Sequence, residues 1–457
     1  MNFILQLDSH GKLSMYEQLY GYVKKKIIDG DFSPGERLPS TRLLAQNLGV
    51  SRNTVERAYD QLASEGYIEA RVGSGFRVST IEGLFLLPKN VEVKKVKEVA
   101  RKQDHLVCDF TAGGIDEESF PADTWRRIGR SVLSEQEQYL SGGDPLGEYG
   151  LREEIARYLR GARGVECDPE QIIIGAGNDY LLMLLLRILN RRNIVAMEYP
   201  TYSQAHHVLC SADCSIVQVA MDEYGMDIKK LKGTEANLVY VMPSHQFPTG
   251  IVMPLSRRLA LLQWAYEKTD RYIIEDDYDS ELRYRGRPIP ALQGNDEGGR
   301  VIYLGTFSQS IAPSVRVSYM VLPRELMERY IENCGVFSNT VARVQQHTIK
   351  EFMQQGYFER HLNRMRKKYK EKRDLLLAEL GLTEKSLQVS GTDAGTHFLL
   401  ILQDRKQGRE VAAEAFKHGV KVNPVPGKEN ALILSYGGLR KEEICNGAGI
   451  LKEILTK

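Results

Sequence analysis

Five short stretches of this chain hold side chains able to grip an anionic, protonatable aromatic ligand. Gly175-Ala176-Gly177-Asn178 follows a triplet of isoleucines and opens a helical pattern. Glycines at that point leave free backbone N–H groups and a positive dipole end where an anion can sit. EYPTY, residues 198–202, offers Tyr202 as a flat aromatic face, and PSHQFPTG, residues 243–250, is a polar loop around His245. EDDYDSELRY, residues 275–284, brings Asp276 and Tyr278. GTFSQSIAPSVRVSY, residues 305–319, brings Thr306, Ser308 and Arg316; hydroxyls beside an arginine suit a phosphate. An anion site, an aromatic plate and a carboxylate together suit a phosphorylated ring with a titratable nitrogen.

A second group lies near the amino end. Arg42, Arg52 and Asn53, and the arginine of Arg71-Val72-Gly73-Ser74-Gly75, fall at positions that point to nucleic acid. Tyr16, Leu19, Tyr20, Val23 and Ile27 repeat at helical spacing, and Thr41–Leu48 reads as a short helix with Leu43, Leu44 and Leu48 inward. Gly49-Val50 makes a tight turn, and Ser51 is a good N-cap for a helix that buries Val55, Ala58, Tyr59 and Leu62. Two short helices around a glycine turn are the helix-turn-helix signature. Burial of that stripe leaves Arg52, Asn53 and Glu56 outward, where a recognition helix meets base edges. Tyr67–Ala70 and Phe76–Val78 read as the strands of a wing with a cationic tip.

The five ligand-gripping stretches each follow an apolar run: Ile172–Ile174, Ile194–Met197, Leu238–Met242, Tyr272–Ile274 and Val301–Leu304. Helical stretches such as Tyr180–Leu189 and Leu255–Ala265 lie between them. This alternation predicts an α/β domain with a mainly parallel sheet, covered on both faces, whose ligands bind beyond the carboxyl ends of the strands. The organisation expected is a winged helix over residues 1–80, a linker over 81–104 with six basic and two acidic residues from Lys89 to Lys102, and the large domain over 105–457.

Composition narrows the classes. The chain has 457 residues, 42% hydrophobic and 26% charged, which excludes a disordered or fibrous protein. Its 61 basic and 60 acidic residues give a net charge of +1, and residues 1–80 hold ten basic and nine acidic side chains. DNA contact must therefore come from local placement and not from an overall basic coat. The six cysteines are scattered without paired metal spacing. With no secretory leader and no apolar run of membrane length at hand, the expected compartment is the cytoplasm.

Met15–Val78 resembles the GntR-type winged helix-turn-helix, and that resemblance implies DNA contacts from Arg42, Ser51, Arg52, Asn53, Thr54, Arg71 and Gly73. GDPLGEYGLR and the four motifs from EYPTY to GTFSQSIAPSVRVSY resemble the fold-type I aminotransferase domain of the MocR/GabR regulators, so the resemblance spans nearly the whole chain. It implies a double-stranded DNA operator as partner, a small-molecule effector, a homodimer arranged head to tail, a smaller C-terminal α+β subdomain, and pyridoxal 5′-phosphate (PLP) as cofactor. By the same resemblance Asp276 pairs with the pyridine nitrogen, Tyr278 donates to the ring oxygen and Tyr202 stacks on the ring. Gly177, Asn178, Thr306, Ser308 and Arg316 surround the phosphate.

One departure bears on chemistry. The family holds PLP through a lysine amine that follows the serine of a Thr-Phe-Ser-Lys segment; here that residue is Gln309. A carboxamide nitrogen is not nucleophilic and cannot make the covalent link. Lys428 is the candidate for a substitute amine from elsewhere in the chain. Gly142 stands where relatives often carry a tyrosine that reaches a partner's cofactor phosphate, and Ile433 where aminotransferases carry an arginine for the substrate carboxylate. The sequence thus supports a regulator whose aminotransferase-like domain binds PLP without a covalent bond, or an amino compound, or another ligand, or none; a second reading is a PLP-dependent regulator whose lysine was replaced by engineering. The alternative is a PLP-dependent aminotransferase carrying a DNA-binding arm, against which Gln309 argues.

Overall fold

The structure is a computed structural model that describes residues 5–8, 13–71, 75–80, 106–111, 113–134, 141–286, 288–383, 388–403 and 407–456. The linker residues 81–104 and Gly73 lie outside the described residues. Chain contacts divide it into two compact units, Met1–Lys102 and Gln103–Lys457.

The first unit packs three helices, α1 (Met15–Ile28), α2 (Thr41–Leu48) and α3 (Arg52–Ser64), against an antiparallel pair, β1 (Ile68–Arg71) and β2 (Gly75–Val78). Its boundaries follow from local chemistry. Ser14 and Glu17 form a capping box at the start of α1. Gly49, at φ +66°, ends α2 in the left-handed conformation that glycine adopts without a Cβ penalty. Three residues into α3, the Thr54 N–H donates to the Ser51 hydroxyl at 3.1 Å. Leu19, Val23, Leu44, Val55, Tyr59 and Leu62 are wholly buried, and the Tyr59 ring meets Phe76 of the wing at 5.0 Å. The expectation of an inward Leu43 is corrected: it is 51% exposed, and Ala45 joins Leu44 in the core instead. At about 100° per residue, Leu44, half-buried Leu48 and Ala45 share one arc of α2, and Leu43 falls outside it.

The first strand of the second unit is β3 (Cys108–Asp109), and the unit is built on an eight-stranded sheet. In chain order its strands are β4 (Ile172–Gly175), β5 (Ile194–Tyr199), β6 (Ser215–Asp222), β7 (Gly225–Met226), β8 (Leu238–Val241), β9 (Tyr272–Asp277), β10 (Val301–Thr306) and β11 (Ser318–Val321). Their order across the sheet is β4-β11-β10-β9-β8-β5-β6-β7. β6, β5, β8, β9 and β10 run parallel, and β11 runs antiparallel between β10 and β4. The apolar runs lack polar alternation because both faces are covered. Ile173, Tyr240, Ile274 and Leu304 pack into one core; Ile172, Ile174 and Tyr303 pack into a second and Val239 and Ile273 into a third.

Beyond the long helix Tyr357–Glu379 comes a smaller α+β part. It is built on a four-stranded antiparallel sheet of β12 (Val389–Ser390), β13 (His397–Ile401), β15 (Asn423–Val425) and β16 (Lys428–Ser435), while β14 (Val420–Lys421) pairs with β3. Among the described residues no helix is long and apolar enough to cross a membrane.

Candidate functional site

The carboxyl ends of β4, β9 and β10 and the segments after β5 and β8 converge on one cavity of about 370 Å³. All nine residues expected to hold the ligand line it: Gly177, Asn178, Tyr202, Asp276, Tyr278, Thr306, Ser308, Gln309 and Arg316. A larger open groove of about 540 Å³ lies at the opposite, amino ends of the strands, where Asp168 pairs with Arg324 at 2.6 Å. It lacks a comparable convergence of buried polar groups.

Strand geometry selects Asp276 from its acidic neighbours. Glu275 and Asp277 point to the other face, where Glu275 accepts the Leu292 and Gln293 N–H groups and Asp277 accepts from Arg163 and Tyr303. Asp276 faces the cavity, accepts from Asn178 Nδ2 at 3.1 Å, and takes a short hydrogen bond from the Tyr240 hydroxyl. Burial pushes its carboxyl up to about 7; the Tyr240 bond opposes this, and the nearby charges of Asp277, Asp279 and Asp179 add to it. A cationic ring nitrogen would relieve that strain on the ionised form.

The corner expected to hold an anion forms around Gly177, which precedes the helix Asn178–Leu189. Its φ is +98°, and a Cβ there would lie 2.5 Å from Nη2 of Arg316. The glycine thus lets the guanidinium stand against the helix start. Arg316, itself at φ +50°, lies 3.9 Å from Asp179 and is half-exposed toward the cavity. Thr306 accepts from the Ser308 N–H at 3.1 Å and from the Ser318 hydroxyl at 2.9 Å, which orients both serines at the same corner.

The aromatic side of the cavity holds Tyr202, edge-on to Phe247 at 5.8 Å, and Tyr278. The Tyr278 hydroxyl lies 3.1 Å from His245 Nδ1, and His245 is 2.8 Å from Asp279. Burial alone would lower the His245 pKa, but Asp279 outweighs it and raises the imidazole above its ordinary value. His245 is buried against the Tyr278 ring and is not among the described residues that line the cavity.

Gln309 occupies the cavity wall with its Oε1 buried and without a hydrogen-bond partner. No lysine lines the cavity among the described residues. Lys428 lines a separate cleft with Gln407 and Arg409. Gly142 is exposed with open space around it, and Ile433 is buried in a small apolar cluster against Phe247. The sequence reading missed Tyr240, Phe247, Thr111 and Ser435. Tyr240 sits in an apolar run and reads as core, while Thr111 and Ser435 come from chain ends that only the fold brings to the sheet.

On the winged helix, Arg42, Ser51, Arg52, Asn53 and Arg71 are exposed and Thr54 is half-buried. Arg52 pairs with Glu56 at 2.8 Å and Arg71 with Glu69 at 2.7 Å. Exposed pairs of this kind contribute about 0–1 kcal/mol, so phosphate oxygens can replace the carboxylates. The Ser51 hydroxyl is committed to the helix cap, with Thr54 Oγ1 2.8 Å away.

Known proteins resemble two parts of the chain. Residues 15–78 match the bacterial regulatory proteins of the gntR family, and residues 108–448 match aminotransferase class I and II. The chain is 39% identical to the uncharacterized HTH-type transcriptional regulator YdeL of Bacillus subtilis (strain 168), covering 96% of each. It is 34% identical to the probable rhizopine catabolism regulatory protein MocR of Rhizobium meliloti, over 98% of this chain and 95% of that one. Among solved structures, an archaeal alanine:glyoxylate aminotransferase superposes with a TM-score of 0.68 at 28% identity, covering 76% of this chain and 90% of its own.

Proposed function

We propose that this chain, which belongs to the MocR-type transcriptional regulators that join a gntR-family helix-turn-helix to a class I and II aminotransferase domain, couples DNA binding to occupancy of its cavity by a phosphopyridine held without a covalent bond. The observation that carries the reading is the convergence of Asp276, Arg316, Thr306 and Ser308 on one cavity that contains Gln309 and no lysine among its described lining residues.

The residues fit PLP as a non-covalent ligand. Asp276 would hold the ring nitrogen, Tyr202 would cover the ring, and Tyr278, backed by His245, would meet the ring oxygen. Arg316, Thr306, Ser308 and the N–H groups after Gly177 would hold the phosphate. When bound in an enzyme, PLP supplies an electrophilic carbon and an electron sink. Here the chain's own groups bind and orient; Gln309 offers neither the nucleophile nor the proton carrier that amino-group transfer needs.

At the other unit, the front of α3 would enter the major groove, with Arg52 and Asn53 at base edges and Arg42 and Arg71 on phosphates. A homodimer would present two such readers, and ligand binding would change their spacing or orientation. The test is selection of DNA from a random library by the full-length protein, followed by titration of the winning site with and without PLP. Enrichment of a two-part site whose affinity shifts with PLP supports the proposal. Recovery of no preferred sequence overturns the reader, and an affinity indifferent to PLP overturns the coupling.

A further inference from the structure

The buried Oε1 of Gln309 has no hydrogen-bond partner although it belongs to a cavity wall. A second orphan acceptor, Asn178 Oδ1, is buried in the same wall. Unmet acceptors in a low-dielectric site are costly and favour a ligand that brings donors. The lining charges point the same way. Asp179 and Asp276 are acidic and Arg316 is the only basic residue among the described lining residues. With a phosphate on Arg316, no other cation among the described lining residues opposes a ligand ammonium.

We propose that Gln309 makes this cavity a selector for the amine form of the phosphopyridine, pyridoxamine 5′-phosphate, over the aldehyde form. The inference rests on the reading of the cavity as a phosphopyridine site. Where a lysine would engage the aldehyde carbon, Gln309 would turn its buried, unpartnered carbonyl oxygen to the ligand's 4′ ammonium as an acceptor. The aldehyde offers that oxygen only another acceptor. Turned over, the carboxamide could donate to an aldehyde oxygen, but that bond is neutral. A bond to an ammonium is charge-assisted and roughly twice as strong. With the amide free to turn to suit each ligand, the amine keeps the stronger bond.

The test is calorimetric titration of the full-length protein with pyridoxamine 5′-phosphate, PLP and pyridoxine 5′-phosphate, in the parent, Gln309→Leu and Gln309→Glu. The parent should bind the amine about ten-fold more tightly than the aldehyde, as one charge-assisted hydrogen bond allows. Gln309→Leu should lose that ratio while still binding pyridoxine 5′-phosphate, and Gln309→Glu should widen it. Equal or tighter binding of the aldehyde by the parent overturns the inference and leaves the site reading intact, as does a ratio unchanged in both variants. Failure of all three ligands to bind the parent overturns the site reading itself, and the inference with it.

Discussion

Gly177→Ala tests the proposed phosphate corner at its tightest point. Gly177 has φ +98° and ψ 164°, a backbone region that is essentially glycine-only. Holding alanine there costs about 1–3 kcal/mol. Its Cβ would also lie 2.5 Å from Nη2 and 3.0 Å from Cζ of Arg316, so the guanidinium must withdraw. If Arg316 then loses its bond to a phosphate, binding weakens by about 1.5–3 kcal/mol, or about ten- to 150-fold in Kd. The assay is calorimetric titration of PLP into parent, Gly177→Ala, Arg316→Ala and the double variant, with circular dichroism as a fold check. In the Arg316→Ala background the glycine substitution should add little to the loss, because its effect runs through the displaced arginine. An unchanged Kd in Gly177→Ala would show that the phosphate does not use this corner. Additive losses in the double variant would refute the proposed route through Arg316.

Three further outcomes are expected. Arg52→Ala should weaken DNA binding and relax base preference at one position by about 1–3 kcal/mol, read by competition titration against single-base variants of the selected site. Ser51→Ala should cost about 1 kcal/mol by removing the cap of α3, read as faster amide exchange at the start of that helix in the full-length protein. Asp276 carries a carboxyl raised to about 7 by burial, so its ionisation costs stability as the pH rises from the unfolded value of about 4 through 7. Ligand-free Asp276→Asn should therefore melt higher relative to the parent at pH 8 than at pH 5, and the reverse order would contradict the burial of an unmatched charge.

Most of the cavity was legible because it is built from strand ends, where short polar motifs interrupt apolar runs. Asp276 and Arg316 sit in such motifs. Tyr240 does not: it lies inside β8, where an aromatic side chain reads as core, and only its hydroxyl reaches Asp276. Ser435 closes the cavity from the end of β16, more than a hundred residues from the other contributors, and local pattern carries no trace of that approach. In the winged helix the capping serines and the Gly49 turn could be read in place, because each acts on neighbours three or four residues away. The facing of Leu43 could not, since the buried arc of that short helix runs through Leu44 and Ala45, and a small alanine gives no sign in the sequence that it displaces a leucine from the core.

The central claim is a phosphopyridine site that binds without a covalent bond. Its most direct test is titration of the purified, ligand-stripped protein with PLP, read by calorimetry and absorbance, followed by borohydride treatment and intact mass. The account predicts saturable binding, no reducible absorption band, and a mass unchanged after borohydride. A permanent mass gain confined to one lysine would contradict it by showing that another amine serves, and absence of saturable binding would show that the cavity holds no phosphopyridine.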